Sequence, residues 1–303
     1  MRDGGEVGPI IPYIVGASGR SGVALCRSLV ANSLDYIPIV RSSERWAATG
    51  LPGIPRVADL LNGSLAAALH DARLVVSCAH ARHIPAILAA TPHSERFVFL
   101  GSTRRFTRWP DAHGLGVQAG EAALRASGRP GAILHPTMIY GAAGEDNVQR
   151  LAALLRRLPI VPLPGGGRAL VQPIHQSDVT RSLRAAMATA WDGPHALVIA
   201  GPDALPYADF VRAVAHAAGL RPPRIVPLPA ALLRALAPLT RLPGLPRIGA
   251  DEIRRLGEDK AFDIGEMQRI LRIEPIALAA GLALTFRTAP CPSSTASPTS
   301  TPR

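Results

Sequence analysis

Residues 10–22 read IIPYIVGASGRSG, and the chain continues as VALCRSLVA, which has helical character. The stretch joins an apolar run to Gly16, Gly19 and Gly22, three glycines at three-residue spacing. A dinucleotide-binding loop needs this order, because a buried strand leads into a tight turn and small residues let the backbone approach a pyrophosphate. The helix that follows directs its free N–H groups at the anion. The stretch therefore predicts a nucleotide-binding loop; a Gly-rich turn without a ligand is the alternative.

The polar side chains of this loop add to the prediction. Ser18 and Ser21 bring hydroxyl donors, and Arg20 brings a positive charge. The serines have an alternative role as caps of the helix, which is compatible with the same loop. We expect a bound dinucleotide to contact Ser18, Arg20 and Ser21 as well as the three glycines.

Apolar runs alternate with helical stretches through the first half of the chain. Strands are predicted at 10–15, 36–40, 55–58, 73–77, 96–101 and 131–135. Helices are predicted near 20–31, 64–69, 81–90 and 116–127. Continuous apolar runs such as LVVSCA and FVFLG are typical of strands covered on both faces. The alternation predicts an α/β fold with a doubly wound parallel sheet, and the Pro- and Gly-rich segments after about residue 141 predict a smaller C-terminal lobe.

Composition narrows the class of partner. The 303 residues carry a net charge of +11, but almost all the basic residues are Arg, and Lys260 is the only lysine. No Arg-rich helix interleaved with aromatic residues stands out, so we predict no nucleic-acid partner and assign the charge to anionic small ligands. No apolar run reaches the ~20 residues that span a bilayer, the N-terminus lacks a signal-peptide core, and three scattered cysteines fit a reducing compartment. These features predict a cytoplasmic protein.

Five segments occur in an order that is typical of one enzyme family. They are GASGRSG at 16–22, Asp59-Leu60, FLGST at 99–103, ILHPTMIYG at 133–141 and GGGRALVQPIHQSDV at 165–179. Over roughly residues 10–285 the chain resembles the extended and atypical short-chain dehydrogenase/reductase family, which includes nucleotide-sugar epimerases and dehydratases. The resemblance implies a Rossmann fold, an NAD(P) cofactor and a small-molecule substrate.

Composition and resemblance together divide the chain. We predict an N-terminal extension at 1–9, an NAD(P)-binding Rossmann domain at 10–142, a substrate lobe at 143–287 interleaved with the last sheet strands, and a disordered tail at 288–303. The tail is rich in Pro, Ser and Thr. Within the lobe, residues 230–244 are apolar with interspersed Arg. A core helix is the preferred interpretation, and docking on a protein complex or a membrane surface is the alternative.

The resemblance also assigns roles outside the phosphate loop. Asp59 and Leu60 match the family positions that contact adenine. Ser102 and Thr103 match the turn whose hydroxyl hydrogen-bonds the reacting carbonyl or alcohol. Hydride transfer builds charge on that oxygen, and a positioned donor stabilises it. Ordinary turn chemistry is the alternative for both hydroxyls.

Two further pairs of predicted contacts lie at strand ends. Cys78 and Ala79 end the fourth strand, at the edge of the sheet that faces the ligand crevice. Pro136 and Thr137 follow the sixth strand and are predicted to wall the nicotinamide side. Cys78 is interpreted as a small apolar filler rather than a nucleophile.

The catalytic pair of the family, a Tyr four residues before a Lys, has no counterpart here. The residue four positions before Lys260 is Leu256. Aligning the helix places His113 at the Tyr position and Val117 at the Lys position. An imidazole can shuttle a proton near neutral pH without a neighbouring ammonium, so a dyad of His113 and Ser102 is one hypothesis. The other is that the site has lost its acid/base group.

The residues after the second strand predict the cofactor. NAD-preferring enzymes place an acid there for the ribose 2′-hydroxyl. This chain places Arg41, with Arg45 nearby, and a guanidinium suits a 2′-phosphate. We therefore predict NADP(H), with NAD(H) as the alternative. Solvated arginines in an Arg-rich chain would leave the choice open.

Two functions follow from these residues. The first is an NAD(P)-dependent oxidoreductase or epimerase acting on a small carbonyl or nucleotide-sugar substrate. The second is a non-catalytic NADP(H)-binding protein, similar to the nucleotide-binding accessory subunit of respiratory complex I or to NmrA-like redox sensors. The preserved substrate-side segments favour the enzyme, and the missing Tyr–Lys pair favours the binding protein. No metal site is predicted, because His80 and His83 lack a third ligand.

Overall fold

The computed structural model describes residues 10–141, 145–236 and 254–287. Its strands, in chain order, are β1 (Pro12–Val15), β2 (Ile37–Val40), β3 (Arg56–Val57), β4 (Leu74–Ser77), β5 (Arg96–Leu100), β6 (Gly131–Pro136), β7 (Ile139–Tyr140), β8 (Ile160–Pro164), β9 (Leu170–Val171), β10 (Ile174–His175), β11 (Pro194–Ile199), β12 (Leu205–Pro206) and β13 (Arg224–Leu228). Seven of them form one parallel sheet in the order β3-β2-β1-β4-β5-β6-β11.

The helices cover both faces of this sheet and build the smaller lobe. They are α1 (Arg20–Ala31), α2 (Ser43–Ala47), α3 (Ser64–Ala68), α4 (Ile84–Ala90), α5 (Ala112–Ser127), α6 (Asn147–Leu155), α7 (Gln176–Ala188), α8 (Tyr207–Ala217), α9 (Ala230–Leu236) and α10 (Leu278–Arg287). Short 3₁₀ turns lie at Ala81–His83, Thr103–Phe106 and Gly165–Gly167, and a π-helical turn lies at Met267–Leu271.

The order in which successive strands join the sheet reverses at β1. Strands β2 and β3 lie on one side of β1, and β4, β5, β6 and β11 lie on the other. The loops after β1 and β4 therefore diverge and leave a crevice beyond the carboxyl ends of these strands. In open parallel sheets, ligands bind at this switch point.

Alternate residues of the strands build two core layers. Ile14, Val76 and Val98 belong to the cluster that includes Leu25 of α1 and Leu183 of α7. Their neighbours in sequence face the other way, where helices α3, α4 and α5 cover the sheet. That second cluster contains Val15, Val75, Phe97, Phe99, Ile84, Leu124 and Leu65. The strands are buried on both sides because the side chains alternate across the pleat.

The smaller lobe has its own apolar clusters. Val148 of α6, Phe210 and Val214 of α8 and Leu282 of α10 share one of them. A second apolar cluster contains Val161 and Leu163 of β8, the strand that pairs with β13. Strand β11 returns from this half of the chain to pair with β6 in the large sheet. The bounds of the predicted domains stay a prediction, and the proposed extension at 1–9 and tail at 288–303 lie outside the described residues.

The parallel α/β sheet confirms the fold class expected from the sequence. Helix α1 has the predicted bounds, but α5 begins at Ala112 instead of residue 116. The carboxylate of Asp111 accepts a hydrogen bond from the Gly114 N–H at 2.7 Å and caps the helix. Gly114 and Gly116 have low helix propensity, so the sequence pattern does not indicate a helix in this first turn. Within the described part of the chain, no helix is long and apolar enough to cross a membrane.

Candidate active site

The Gly-rich loop forms a tight turn between β1 and α1. Gly16 has a φ of +75°, a conformation that side chains rarely adopt, and its carbonyl accepts the Gly19 N–H at 2.9 Å. A Cβ on Gly22 would overlap the Gly16 carbonyl oxygen. The N-cap of α1 is Gly19, which has no side chain to accept from the first-turn N–H groups. These groups are therefore available to an anion.

A cavity of about 590 Å³ opens at the carboxyl ends of β1, β2 and β4. We call it the adenosine-side cavity. The structure brings most of the predicted cofactor contacts together here. They are Gly16, Ser18, Gly19, Arg41, Asp59, Leu60, Cys78 and Ala79. Gly22 lies in the first turn of α1, close to the Gly16 carbonyl and outside the lining of this cavity.

Two basic side chains of the second β–α unit line the adenosine-side cavity. Arg41 follows β2 directly, and Arg45 lies on α2. Asp59 also lines the cavity, and its carboxylate accepts the Leu61 N–H at 3.0 Å and holds its own turn.

A second cavity of about 400 Å³ adjoins the first, because Cys78 and Ala79 line both. We call it the nicotinamide-side cavity. Its other lining residues include the loop residues Arg20 and Ser21 and the chemically active side chains His80, His113 and Glu145. Burial raises the pKa of the Cys78 thiol to about 12, so this group is neutral at pH 7 and is not an activated nucleophile.

Two histidines meet in the nicotinamide-side cavity. The rings of His80 and His113 lie 4.3 Å apart, nearly perpendicular to each other. His80 Nδ1 accepts the Arg82 N–H at 3.0 Å, so its proton resides on Nε2, which is buried without a partner. The sequence pointed to His113 but not to this contact, since no local pattern brings position 80 against position 113.

Both imidazoles are uncharged at neutral pH. Burial, followed by the nearby His113 and Arg82, lowers the pKa of His80 to about 4. Burial and the charge of Arg104 lower the pKa of His113 as well, although Asp111 acts the other way. A neutral imidazole donates a hydrogen bond to a substrate oxygen, but it is not a charged acid.

The two predicted hydroxyl residues lie outside the linings of the two cavities. Ser102 Oγ accepts the Arg104 N–H at 3.2 Å and caps the turn that follows. Thr103 Oγ1 donates to the Pro136 carbonyl at 3.1 Å. Ser102 keeps its own proton free to donate, whereas that of Thr103 is committed to the backbone. The catalytic assignment of both residues stays a prediction.

Pro136 and Thr137 also lie beyond the cavity linings. Pro136 ends β6, and the Thr137 N–H donates to the Ile199 carbonyl at 3.1 Å. The Thr137 hydroxyl is buried without a hydrogen-bond partner. Their predicted contact with the nicotinamide therefore stays a prediction.

A buried ion-pair network lies behind the Ser102 turn. His135 Nδ1 accepts the Ser102 N–H at 3.2 Å, so its Nε2–H donates to Glu121 Oε2 at 2.9 Å. Arg105 Nε lies 2.8 Å from the same carboxylate oxygen, and Arg125 Nε lies 3.0 Å from the other. Burial acts to raise the pKa of Glu121, but the bond from His135 and the charge of Arg105 outweigh it and hold the pKa below its usual range.

The structure supplies no substitute for the Tyr–Lys pair at its usual place. Val117, at the Lys position, is buried in the sheet-facing core cluster. The Lys260 ammonium donates to the Arg255 carbonyl at 2.7 Å and lines neither cavity. Within the described ranges, no group of three His, Cys, Asp or Glu side chains could hold a metal ion.

Comparisons with known proteins agree with this architecture. No protein-family model matches the chain. A ceramide reductase of Caulobacter vibrioides is 28% identical over 262 residues, which cover 78% of this chain and 81% of the relative. A Bacillus cereus UDP-glucuronic acid 4-epimerase solved with NAD superposes with a TM-score of 0.70 at 16% identity, covering 91% of this chain and 97% of that one. An NADPH-dependent quinone oxidoreductase of Escherichia coli gives 0.70 at 18%, covering 90% and 98%.

These likenesses define the class of fold. The chain has a Rossmann fold, as the sequence predicted. The epimerase and the quinone oxidoreductase share this fold over most of their length with the chain described here.

Proposed function

We propose that the chain is an NAD(P)(H)-dependent oxidoreductase that reduces a carbonyl compound, with NADP(H) as the preferred cofactor. One observation carries this proposal. Two adjoining cavities meet at Cys78 and Ala79, and the first has a glycine cradle and a basic end while the second holds titratable side chains. The arrangement suits an extended ligand with a diphosphate in its middle and a reactive ring at one end.

The residues present fit a dinucleotide. A Cβ at Gly22 would overlap the Gly16 carbonyl oxygen and distort the loop, and the α1 N-terminus offers uncapped N–H groups to a diphosphate. Arg41 and Arg45 would pair with a 2′-phosphate through guanidinium forks. When bound, the dinucleotide supplies the hydride. The ring of His113 lies in the cavity where the charge on a substrate oxygen would develop, and a neutral N–H there stabilises that charge.

A reduction is favoured over an epimerisation. The relative with 28% identity is named for a reduction of ceramide, and the quinone oxidoreductase is named for a redox reaction. The epimerase likeness concerns the fold at 16% identity. We therefore place a ketone, including lipid ketones of the ceramide type, ahead of a nucleotide sugar as the substrate class.

A non-catalytic NADP(H)-binding protein is the second candidate. The observation that favours it is the buried Val117 at the position where relatives of this fold keep their Lys. Turnover separates the two candidates, because both bind the cofactor and only one oxidises it.

The test is NADPH oxidation followed by absorbance with a panel of quinones, ketones and ceramide-type lipid ketones. We expect turnover by the wild type and a loss of about a hundredfold to a thousandfold in His113→Ala, the range that a lost oxyanion donor costs. His93→Ala is the matched control, since His93 is exposed and lines neither cavity. Cofactor binding without any oxidation, equal in all three proteins, would establish the binding protein instead.

A further inference from the structure

An ion pair spans the crevice between the phosphate loop and the smaller lobe. Arg20, the first residue of α1, donates from Nη1 to Glu145 Oε2 at 3.1 Å. The two residues are 125 positions apart in sequence, and both line the nicotinamide-side cavity. The sequence predicts that Arg20 contacts the cofactor, but it gives no signal for Glu145.

The two partners are unequally placed. The Arg20 side chain is 60% exposed, whereas that of Glu145 is 10% exposed. Arg20 therefore has room to reorient, and Glu145 does not. A buried carboxylate that loses its cation is strongly destabilised, because no attraction to a counter-charge then offsets its lost hydration.

The groups facing Glu145 make Arg20 the main counter-charge. Burial raises the pKa of Glu145 above its usual value, the charge of Arg20 opposes this, and Asp146 adds to it. Asp146 is itself paired with Arg150 at 3.0 Å. The other titratable groups of the cavity, Cys78, His80 and His113, are uncharged at pH 7 and cannot replace the guanidinium.

We propose that Arg20 releases Glu145 for a phosphate when the dinucleotide binds, and that Glu145 then takes a proton from solvent and becomes the proton donor of the nicotinamide-side cavity. This inference rests on the proposed function. The driving force is competition between two anions for one guanidinium. A diphosphate carries more charge than a carboxylate and accepts both prongs of the guanidinium fork.

The proposed proton completes the chemistry of a reduction. A carbonyl becomes an alcohol by gaining a hydride, which brings two electrons, and one proton. The O–H bond of Glu145 breaks as the new O–H bond forms on the substrate oxygen, and Glu145 is left as a carboxylate. Solvent then returns the proton. His113 holds the oxygen through a hydrogen bond and keeps its own proton.

Proton uptake on cofactor binding tests the inference without turnover. Isothermal titration of NADH and NADPH is run in buffers of different ionisation enthalpy between about pH 5 and pH 8, a range that lies above the usual pKa of a carboxyl group. We expect uptake of up to about one proton by the wild type, as a group whose pKa rises on binding requires. Because the 2′-phosphate of NADPH titrates near pH 6 itself, the informative number is the difference between wild type and Glu145→Gln.

Three variants sharpen the result. Glu145→Gln keeps an oxygen for Arg20 but cannot titrate, so it should bind cofactor without the extra proton. Arg20→Gln should also lower the uptake, since the loss of the guanidinium raises the pKa of Glu145 in the free protein before any cofactor binds. Glu95→Gln is the matched control and should behave as the wild type, because Glu95 is exposed, pairs with Arg73 and lines neither cavity.

The outcomes separate the two proposals. Binding with equal proton numbers in the wild type and in Glu145→Gln overturns this inference and leaves the proposed function standing. No binding of either cofactor overturns the proposed function. Should Glu145→Gln not fold, unchanged uptake in Arg20→Gln overturns the inference on its own.

Discussion

Cofactor choice is decided at single residues. Arg41 and Arg45 line the adenosine-side cavity, and the carboxylate of Asp59, which also lines it, accepts the Leu61 N–H. A 2′-phosphate would gain charge-assisted hydrogen bonds here, whereas a 2′-hydroxyl would gain little from a cation. We therefore attribute the proposed preference for NADP(H) to one or two guanidinium groups rather than to the fold.

We predict that Arg41→Asp weakens NADPH binding by about 10-fold to 100-fold, as expected for a lost charged hydrogen bond. NADH binding should change little, since the new carboxylate suits the ribose hydroxyl. Fluorescence titration with both cofactors measures the ratio. Arg27→Asp is the control, because Arg27 is exposed on α1 and lines neither cavity. Equal losses for NADPH and NADH in Arg41→Asp would defeat this explanation.

At the scale of elements, the Glu121–His135 pair joins α5 to the sheet. Glu121 lies on α5, and His135 lies on β6 and accepts the N–H of the turn after β5. Through this contact, the helix that carries His113 is fixed against the strand ends that border the crevice. Both side chains are nearly fully buried, so the loss of either partner would lower the stability of the fold.

We predict that Glu121→Ala lowers the free energy of unfolding by about 1–3 kcal/mol, because it leaves the buried Nε2–H of His135 without an acceptor. Urea unfolding measures the loss, and Glu95→Ala, which removes an exposed pair with Arg73, should lose much less. The pKa of Glu121 lies below its unfolded value, so its contribution is present above that value and fades as the pH falls through the folded pKa. A difference between wild type and Glu121→Ala that stays constant down to low pH would contradict this role.

Elements that follow from a pattern within a short stretch of sequence could be predicted. Features that depend on a capping side chain or on contacts between distant residues could not. The bounds of α1 follow from the glycine spacing, and the buried strands follow from their continuous apolar runs. The first turn of α5 contains glycines, so the start of this helix depends on the cap formed by Asp111. The hydrophobic pattern of the sequence does not reveal that cap. The network of His135 was hidden because a strand histidine in sequence resembles any other core residue.

The whole molecule assembles its site from both halves of the chain. The tight glycine turn between β1 and α1 could be predicted because all its parts lie within residues 16–22, and its binding of a phosphate stays a prediction. The contacts of His80 with His113 and of Arg20 with Glu145 could not, since only the closed fold brings these positions together. Local spacing therefore predicts the cofactor side of the crevice, and tertiary packing determines the chemistry of the other side.

The most direct test of the central claim is calorimetric titration of NADPH and NADH into the wild type, Gly22→Ala and Gly63→Ala. The Gly22 Cβ would overlap the Gly16 carbonyl oxygen, whereas nothing lies within 4 Å of a Cβ at Gly63. We predict binding by the wild type and by Gly63→Ala, and at least about a tenfold loss in Gly22→Ala, with circular dichroism confirming that the variant is folded. No heat with either nucleotide in the wild type, or wild-type affinity in Gly22→Ala, would contradict a dinucleotide held on this loop.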